Sequence, residues 1–334
     1  MGGQLVDRFG RVHDYLRISV TDRCNLRCVY CMPENGMEFE PDDRLLSFEE
    51  IAAVVRALAA VGVRKLRITG GEPLVRKNLE RLVAMVSAVP GIEDVALTTN
   101  GIFLAPRAQA LAQAGLKRVN ISLDSLKPDR FAAITRGGDI RKVLASVEEC
   151  FRVGLKPVKL NVVLMRGVND DEIESFLRLT LERDVTVRFI EYMPIGHEDD
   201  GWRTKYMPLA EIWARCERMG WKTERVGSVY GNGPGEYFRI RGAVGTFGLI
   251  HPVSDHFCGA CNRLRLTADG YVKPCLYWTD EFNVRNCIGD ERALQNLFMR
   301  ALAAKPQNHE MALALHNGRR SHTPTARRMS QIGG

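Results

Sequence analysis

Cys24, Cys28 and Cys31 stand within Cys24-Asn-Leu-Arg-Cys28-Val-Tyr-Cys31, a C-x-x-x-C-x-x-C spacing. Three thiolates on one tight loop can ligate three irons of a cubane and leave the fourth iron without a protein ligand. An open iron invites a substrate, which a cluster built only for electron transfer does not. Structural zinc needs a fourth ligand close by, and Thr21 to Met37 holds no histidine and no further cysteine. A second group comprises Cys258-Gly-Ala-Cys261 and Cys275, and the hairpin-like segment Arg263 to Lys273 would return Cys275 to the other two. Spacing alone leaves zinc open here, because His256 or Cys287 could complete four ligands. A cluster with an open iron would differ chemically, since that iron could take a substrate nitrogen or oxygen. The other chemistry-bearing features are Thr69-Gly70-Gly71-Glu72-Pro73 and a series of basic residues at or near apolar runs: Arg17, Lys65, Arg67, Lys159, Arg188, Arg263 and Arg265. Any one of these cations would ordinarily face solvent or pair with a carboxylate. The seven histidines form no i, i+4 pair, so no histidine metal site or acid/base pair is expected. Cys150 and Cys216 fit helical patterns as buried small hydrophobes, and Cys287 is solitary.

The elements that must carry these residues alternate as βα units. Strands are expected over Leu16 to Val20, Lys65 to Thr69, Asp94 to Thr98, Arg118 to Leu123, Lys156 to Val163 and Val185 to Glu191. Helices are expected over 78–88, 106–114, 140–153 and 171–183. A further helix starts at a capping-box pair, Ser47 and Glu50, with Ile51, Val54, Val55 and Leu58 on one face. Six parallel strands with outer helices imply an α/β fold, a partial, open six-stranded βα barrel with function at the strand C-terminal ends, where the motifs are expected to fall. After about Gly196 the rhythm stops. Residues 1–196 are read as the barrel, 197–318 as a C-terminal extension over its mouth, with a glycine-rich stretch from Gly227 to Gly248 and a last helix near 290–304, and 319–334 as a flexible basic tail.

Composition bounds the remainder. The chain is 45% apolar, enough for one large core with an appendage. No run of eighteen apolar residues and no secretory signal is seen, so the cytoplasm is the default. Nine cysteines, an odd number in such a chain, argue for metal ligation rather than disulfides. The formal charge of +7 suits an anionic partner, with nucleotide and nucleic acid both open on charge alone.

The N-terminal cysteines followed by this βα pattern resemble the radical S-adenosylmethionine (SAM) superfamily. The resemblance implies that the open iron binds the amino and carboxylate groups of SAM and that the molecule is cleaved reductively. It further implies SAM contacts from Tyr30, Gly71, Ser122 and Met193; without it the last three read as an ordinary turn glycine, a strand-end hydroxyl and a core methionine. Over nearly the whole chain the sequence is similar to one family, the molybdenum cofactor biosynthesis protein A type of GTP 3′,8-cyclase. The elements that carry this are the two cysteine groups, Gly70-Gly71-Glu72-Pro73, Thr98-Thr-Asn-Gly101, Ser122-Leu-Asp-Ser125, Asn262-Arg263-Leu264-Arg265 and Gly333-Gly334. The family likeness implies two [4Fe-4S] clusters, the second at Cys258, Cys261 and Cys275, and GTP contacts from Arg17, Arg67, Thr98, Lys159, Arg263, Leu264 and Arg265. It implies that the Gly-Gly tail reaches the active site. It implies GTP as substrate, a low-potential electron donor such as flavodoxin or ferredoxin, cyclic pyranopterin monophosphate synthase as recipient of the product, and a homodimer as an option. Membrane and nucleic-acid partners are not expected. Two rivals are a radical SAM maturase of a peptide or cofactor, and a nucleic-acid-binding module with structural zinc.

Overall fold

The computed structural model describes residues 4–195, 201–227, 234–255, 257–316 and 323–333. Along Tyr15–Ser19 (β1), Leu16 and Ile18 are fully buried on the helix side, while Arg17 takes the other face. The same period of two runs through Lys65–Thr69 (β2), Asp94–Thr99 (β3), Arg118–Ser122 (β4), Val158–Leu164 (β5) and Val185–Glu191 (β6). Each pairs in parallel with the next. These are the six expected strands, their ends displaced by two residues at most.

The C-terminal part extends that sheet at both edges. Its strands are Thr223–Val226 (β7), Glu236–Ile240 (β8), Thr246–Ile250 (β9), Arg263–Leu266 (β10), Tyr271–Lys273 (β11) and Phe282–Asn283 (β12). β9 joins β6 in parallel and β10 joins β1 in parallel, giving one continuous sheet in the order β12-β11-β10-β1-β2-β3-β4-β5-β6-β9-β8-β7. The sheet therefore crosses the boundary expected at residue 196. The expected hairpin over 263–273 is present as β10 and β11. β8 and the first part of β9 fall in the stretch from Gly227 to Gly248 read as glycine-rich. Their glycines answer packing: a Cβ on Gly248 would stand 2.8 Å from the Tyr237 ring, and one on Gly245 would collide with the Arg183 and Val185 carbonyls. Short helices at Pro128–Thr135 and Glu211–Arg218 were also not anticipated.

Helices cover the outer face. Phe48–Ala59 begins with the expected capping box, Glu50 N–H donating to Ser47 Oγ at 3.1 Å and Ser47 N–H to Glu50 Oε2 at 2.7 Å. Glu291–Ala303 packs on it, so a C-terminal helix closes the core beside the N-terminal strands. The core consists of the outward residues of the strands and the inward faces of these helices, which leaves the inner face of the sheet free for polar groups.

The tail also differs from the flexible end expected. Thr325 N–H donates to the Tyr277 carbonyl at 2.6 Å, and the Arg327 guanidinium pairs with Asp269 at 2.9 Å and Glu281 at 2.7 Å. Arg319, Arg320 and Gly334, which belong to the expected tail, lie outside the described residues.

Candidate functional site

Beyond β1 the chain turns through Thr21 to Met32. The Cys28 carbonyl accepts from Cys31 N–H at 2.9 Å and Met32 N–H at 3.1 Å, which folds the three cysteines onto one tight turn. Cys24 Sγ accepts from Leu26 N–H at 3.4 Å. Burial pushes the Cys24 thiol up to about 11, Cys31 to about 12 and Cys28 well above its ordinary range, and nearby thiolates add to the rise for Cys28 and Cys31. A metal entering here must displace those protons. Among the described residues, no three His, Cys, Asp or Glu side chains converge as ligands of a single ion.

The second strand meets this loop directly. Gly71 N–H donates to the Thr21 carbonyl and Glu72 N–H to the Arg23 carbonyl, both at 2.8 Å. A Cβ on Gly70 would lie 2.6 Å from the Thr21 carbonyl oxygen, and one on Gly71 2.5 Å from that of Asp22. The glycines are thus needed where β2 meets the stem of the cysteine loop. Glu72 is buried, which pushes its carboxyl up to about 7 although it accepts from Leu74 N–H, Thr99 Oγ1 and Asn100 N–H at 2.7–3.0 Å. Tyr30 is anchored by its hydroxyl to Asp124 Oδ2 at 2.7 Å, beyond the end of β4, and Ser122 ends that strand half-buried.

Cys258, Cys261 and Cys275 line a cavity with about 550 Å³ of free space, together with Arg11, Arg263 and Lys305. Cys287 packs instead against the helix-side core, and His256 lies outside the described residues. Burial pushes Cys258 up to about 11. At Cys261 burial also raises the thiol, but Arg263 and Lys305 more than offset it and hold it at about 6. Because β10 runs parallel to β1, the cysteines before β10 enter at the end of the sheet opposite the loop after β1. The expectation that every motif falls at a strand C-terminal end is corrected here: the two cysteine sets approach one inner face from opposite ends.

Between them lies a second cavity with about 720 Å³ of free space, part of it open to solvent. It shares Met193, Pro252, Phe257, Arg263, Arg265 and Leu276 with the first. Arg265, Arg17 and Arg67 stand side by side across three adjacent strands, since Arg17 is in register with both others. Arg67 Nε donates to the Tyr15 hydroxyl and its Nη1 to Thr98 Oγ1 at 3.4 Å. Burial and the neighbouring guanidiniums lower both Arg17 and Arg265, the latter to about 10, as expected where cations gather with little carboxylate.

Several expected residues sit elsewhere. Leu264 has its side chain on the helix side, fully buried in the core, because it alternates with Arg263 and Arg265; only its backbone stays near the cavity. Lys159 is 2% exposed and does not line the cavity; its ammonium lies over the Tyr237 ring at 5.4 Å. Lys65 pairs with Asp14 at 3.3 Å and takes no part. Met193, expected at a SAM pocket, lines both cavities described here. Tyr15 and Asn161 were missed and line the larger cavity. The signal for them was in the sequence: strands of a parallel sheet covered on both faces read as continuous apolar runs, and these alternate with polar residues.

The tail completes the site. The Gly333 carbonyl accepts from Arg17 Nη2 at 3.0 Å and Arg265 Nη1 at 2.8 Å. Gly333 has φ of +67°, and a Cβ there would come within 2.6 Å of Thr69. Both conditions favour glycine.

Residues 18–180 match the radical SAM superfamily model and residues 185–311 the Molybdenum Cofactor Synthesis C model. The fold is shared with solved structures: Streptococcus suis SuiB bound to S-adenosylmethionine at a TM-score of 0.59, 15% identity, 94% of this chain and 70% of that one. Native anSMEcpe with bound AdoMet gives 0.56, 18%, 90% and 84%. Fold and cysteine loop thus define a radical SAM protein. A GTP 3′,8-cyclase of Listeria monocytogenes is 58% identical over 99% of both chains, and one of Lactiplantibacillus plantarum is 50% identical over 99% of both. The chain belongs to the GTP 3′,8-cyclase family.

Proposed function

We infer that this chain uses Cys24, Cys28 and Cys31 for a SAM-binding [4Fe-4S] cluster and Cys258, Cys261 and Cys275 for a second. It is a GTP 3′,8-cyclase, a radical SAM enzyme of molybdenum cofactor biosynthesis with two such clusters as cofactors. Reductive cleavage of SAM supplies a 5′-deoxyadenosyl radical that takes the ribose 3′ hydrogen of GTP, leading to (8S)-3′,8-cyclo-7,8-dihydroguanosine 5′-triphosphate.

The observation that carries the assignment of residues is the register of Arg265, Arg17 and Arg67 along one wall between the two cysteine sets. Guanidiniums fork onto phosphate oxygens, so this row, with Arg263, holds the triphosphate. Thr98 adds a hydroxyl beside Arg67, and Lys159, which burial and then Arg188 hold down at about 6, is a further cation whose charged form the triphosphate would favour. The guanine then faces the C-terminal cysteines and the ribose the N-terminal loop. On the SAM side Gly71, Ser122 and Tyr30 line the approach to that loop, with Met193 at the join between the cavities. The Gly333 carbonyl occupies donors of Arg17 and Arg265 that phosphate would use, so the tail orders the row and yields to GTP. We assign residues 1–196 to the SAM-handling barrel and 197–318 to the substrate side. A flavodoxin or ferredoxin supplies the electron, cyclic pyranopterin monophosphate synthase takes the product, and the enzyme works in the cytoplasm, as a homodimer if it self-associates. Among the described residues no helix is long and apolar enough to cross a membrane.

The test separates charge from geometry. Arg263→Ala and Arg265→Ala should each weaken GTP binding by roughly 2–4 kcal/mol, because phosphate charge is left uncompensated. Lys replacements should recover only part, lacking the fork. Iron content should stay unchanged throughout. Calorimetric GTP affinity read beside cyclisation rate decides it, and full activity in the double Ala variant would refute the assignment.

A further inference from the structure

Lys305 follows the helix Glu291–Ala303 and is 3% exposed, on the wall that carries Cys258, Cys261 and Cys275. Its ammonium donates to the Arg263 carbonyl at 2.8 Å and the Pro274 carbonyl at 2.6 Å. One of these lies two residues after Cys261 and the other immediately before Cys275, so a single side chain ties together the two limbs that bear the cysteines.

The other cations buried nearby have counter-charges or other support. Arg11 pairs with Asp7 at 2.6 Å, Lys273 with Glu281 at 3.0 Å, and the Arg263 guanidinium lies over the Phe257 ring at 4.5 Å. Like Arg265, which donates to the Ile332 and Gly333 carbonyls, Lys305 has among the described residues no carboxylate within ion-pair distance. Carbonyls satisfy its donors without neutralising its charge, and a buried unpaired ion costs several kcal/mol. Burial and the cations Arg263 and Arg11 disfavour its charged form, and the groups that favour it are Cys261 and Cys275. Cys261 and Cys275, which line one cavity with Lys305, are thus the groups that offset the charge on this ammonium.

We propose that Lys305 is a positioning residue of the C-terminal cysteine site, bracing its two limbs and serving as counter-cation to the thiolates and the cluster they hold. The proposal rests on the reading that these cysteines hold the second [4Fe-4S] cluster. A fixed positive charge beside a cluster favours its reduced, more negative state, so Lys305 raises that cluster's reduction potential.

The experiment uses the full chain, reconstituted anaerobically, as wild type, Lys305→Gln, Lys305→Met and Lys305→Arg. Iron and sulfide are counted, chelator-driven iron loss is timed, and the midpoint potential of the C-terminal cluster is followed by electron paramagnetic resonance in a background with Cys24, Cys28 and Cys31 changed to Ser. Lys305→Gln and Lys305→Met should shift that potential to more negative values and lose C-terminal iron several-fold faster. Lys305→Arg should restore the potential, and SAM cleavage at the N-terminal site should survive in every variant with native cysteines. Gln retains a donor for the carbonyls, so it separates charge from bracing should Met fail to fold. Wild-type potential and iron retention in Lys305→Gln would overturn the role of Lys305 while leaving the cluster reading intact. Wild-type protein holding about four irons and one zinc would instead overturn the cluster reading and the inference with it.

Discussion

A methyl group at position 71 would press against the Asp22 and Arg23 carbonyls, which are backbone and cannot swing aside. Gly71→Ala should therefore push the cysteine loop off β2, at a cost of about 1–3 kcal/mol, and strip about half the iron. Gly227→Ala, where an added Cβ meets nothing within 4 Å, is the control, and equal iron in the two proteins would show that the close approach is dispensable. His13 offers a second test at this scale. It is 1% exposed, its Nε2 faces Asp7 Oδ2 at 3.1 Å, and among the described residues its Nδ1 has no partner. Burial and then the charge of Lys305 hold it down at about 4. The unfolded chain, with an ordinary value near 6.5, therefore takes the proton first. This contribution to stability is complete above about pH 6.5 and is lost as pH falls toward 4, by about 3 kcal/mol at most. Denaturant midpoints measured across that window should fall less steeply for His13→Gln than for wild type, and identical slopes would refute the account.

Strands divide their residues between two environments, and Leu264 shows how sharply. Leu264→Val should cost about 0.5–1.5 kcal/mol of stability, as a core methylene does, and leave GTP affinity within about twofold. A loss like that of Arg265→Ala would mean that the leucine touches the ligand after all. The grouping of Leu264 with its neighbours in the sequence came from a motif, and a motif does not say which face a residue takes. β1 to β6 were legible because each is a short alternating run followed by a helix with readable signals, as at Ser47 and Glu50. β8 and β9 were not legible, because Gly245 and Gly248 look like loop residues until Tyr237 and the Arg183 carbonyl are seen against them. The cysteine groups could be read from local spacing. The row of Arg265, Arg17 and Arg67 could not, since it depends on β10 pairing with β1, and nothing local encodes a register between segments so far apart.

At the scale of the molecule, the extension and the barrel share one sheet and one core. Residues 1–196 alone would leave β1 and β6 as open edges and uncover the Phe48–Ala59 face now covered by Glu291–Ala303. Such edges and apolar faces associate. That fragment, expressed alone, should elute as aggregates and lack a cooperative thermal transition, and a monodisperse fragment with a native-like melt would contradict the shared-sheet view. The pairing of β1 with β10 also has a consequence for biosynthesis. Arg11 waits for the Cys258 carbonyl, 247 residues further along, a gap of about 12–50 s at ordinary ribosome speeds. During that interval the nascent chain holds the SAM-side loop and two arginines of the row, but neither the third arginine nor the partner edge of β1. The N-terminal half is exposed to chaperones before the substrate wall exists, so the cell has time to protect or load the first cysteine set before the second emerges.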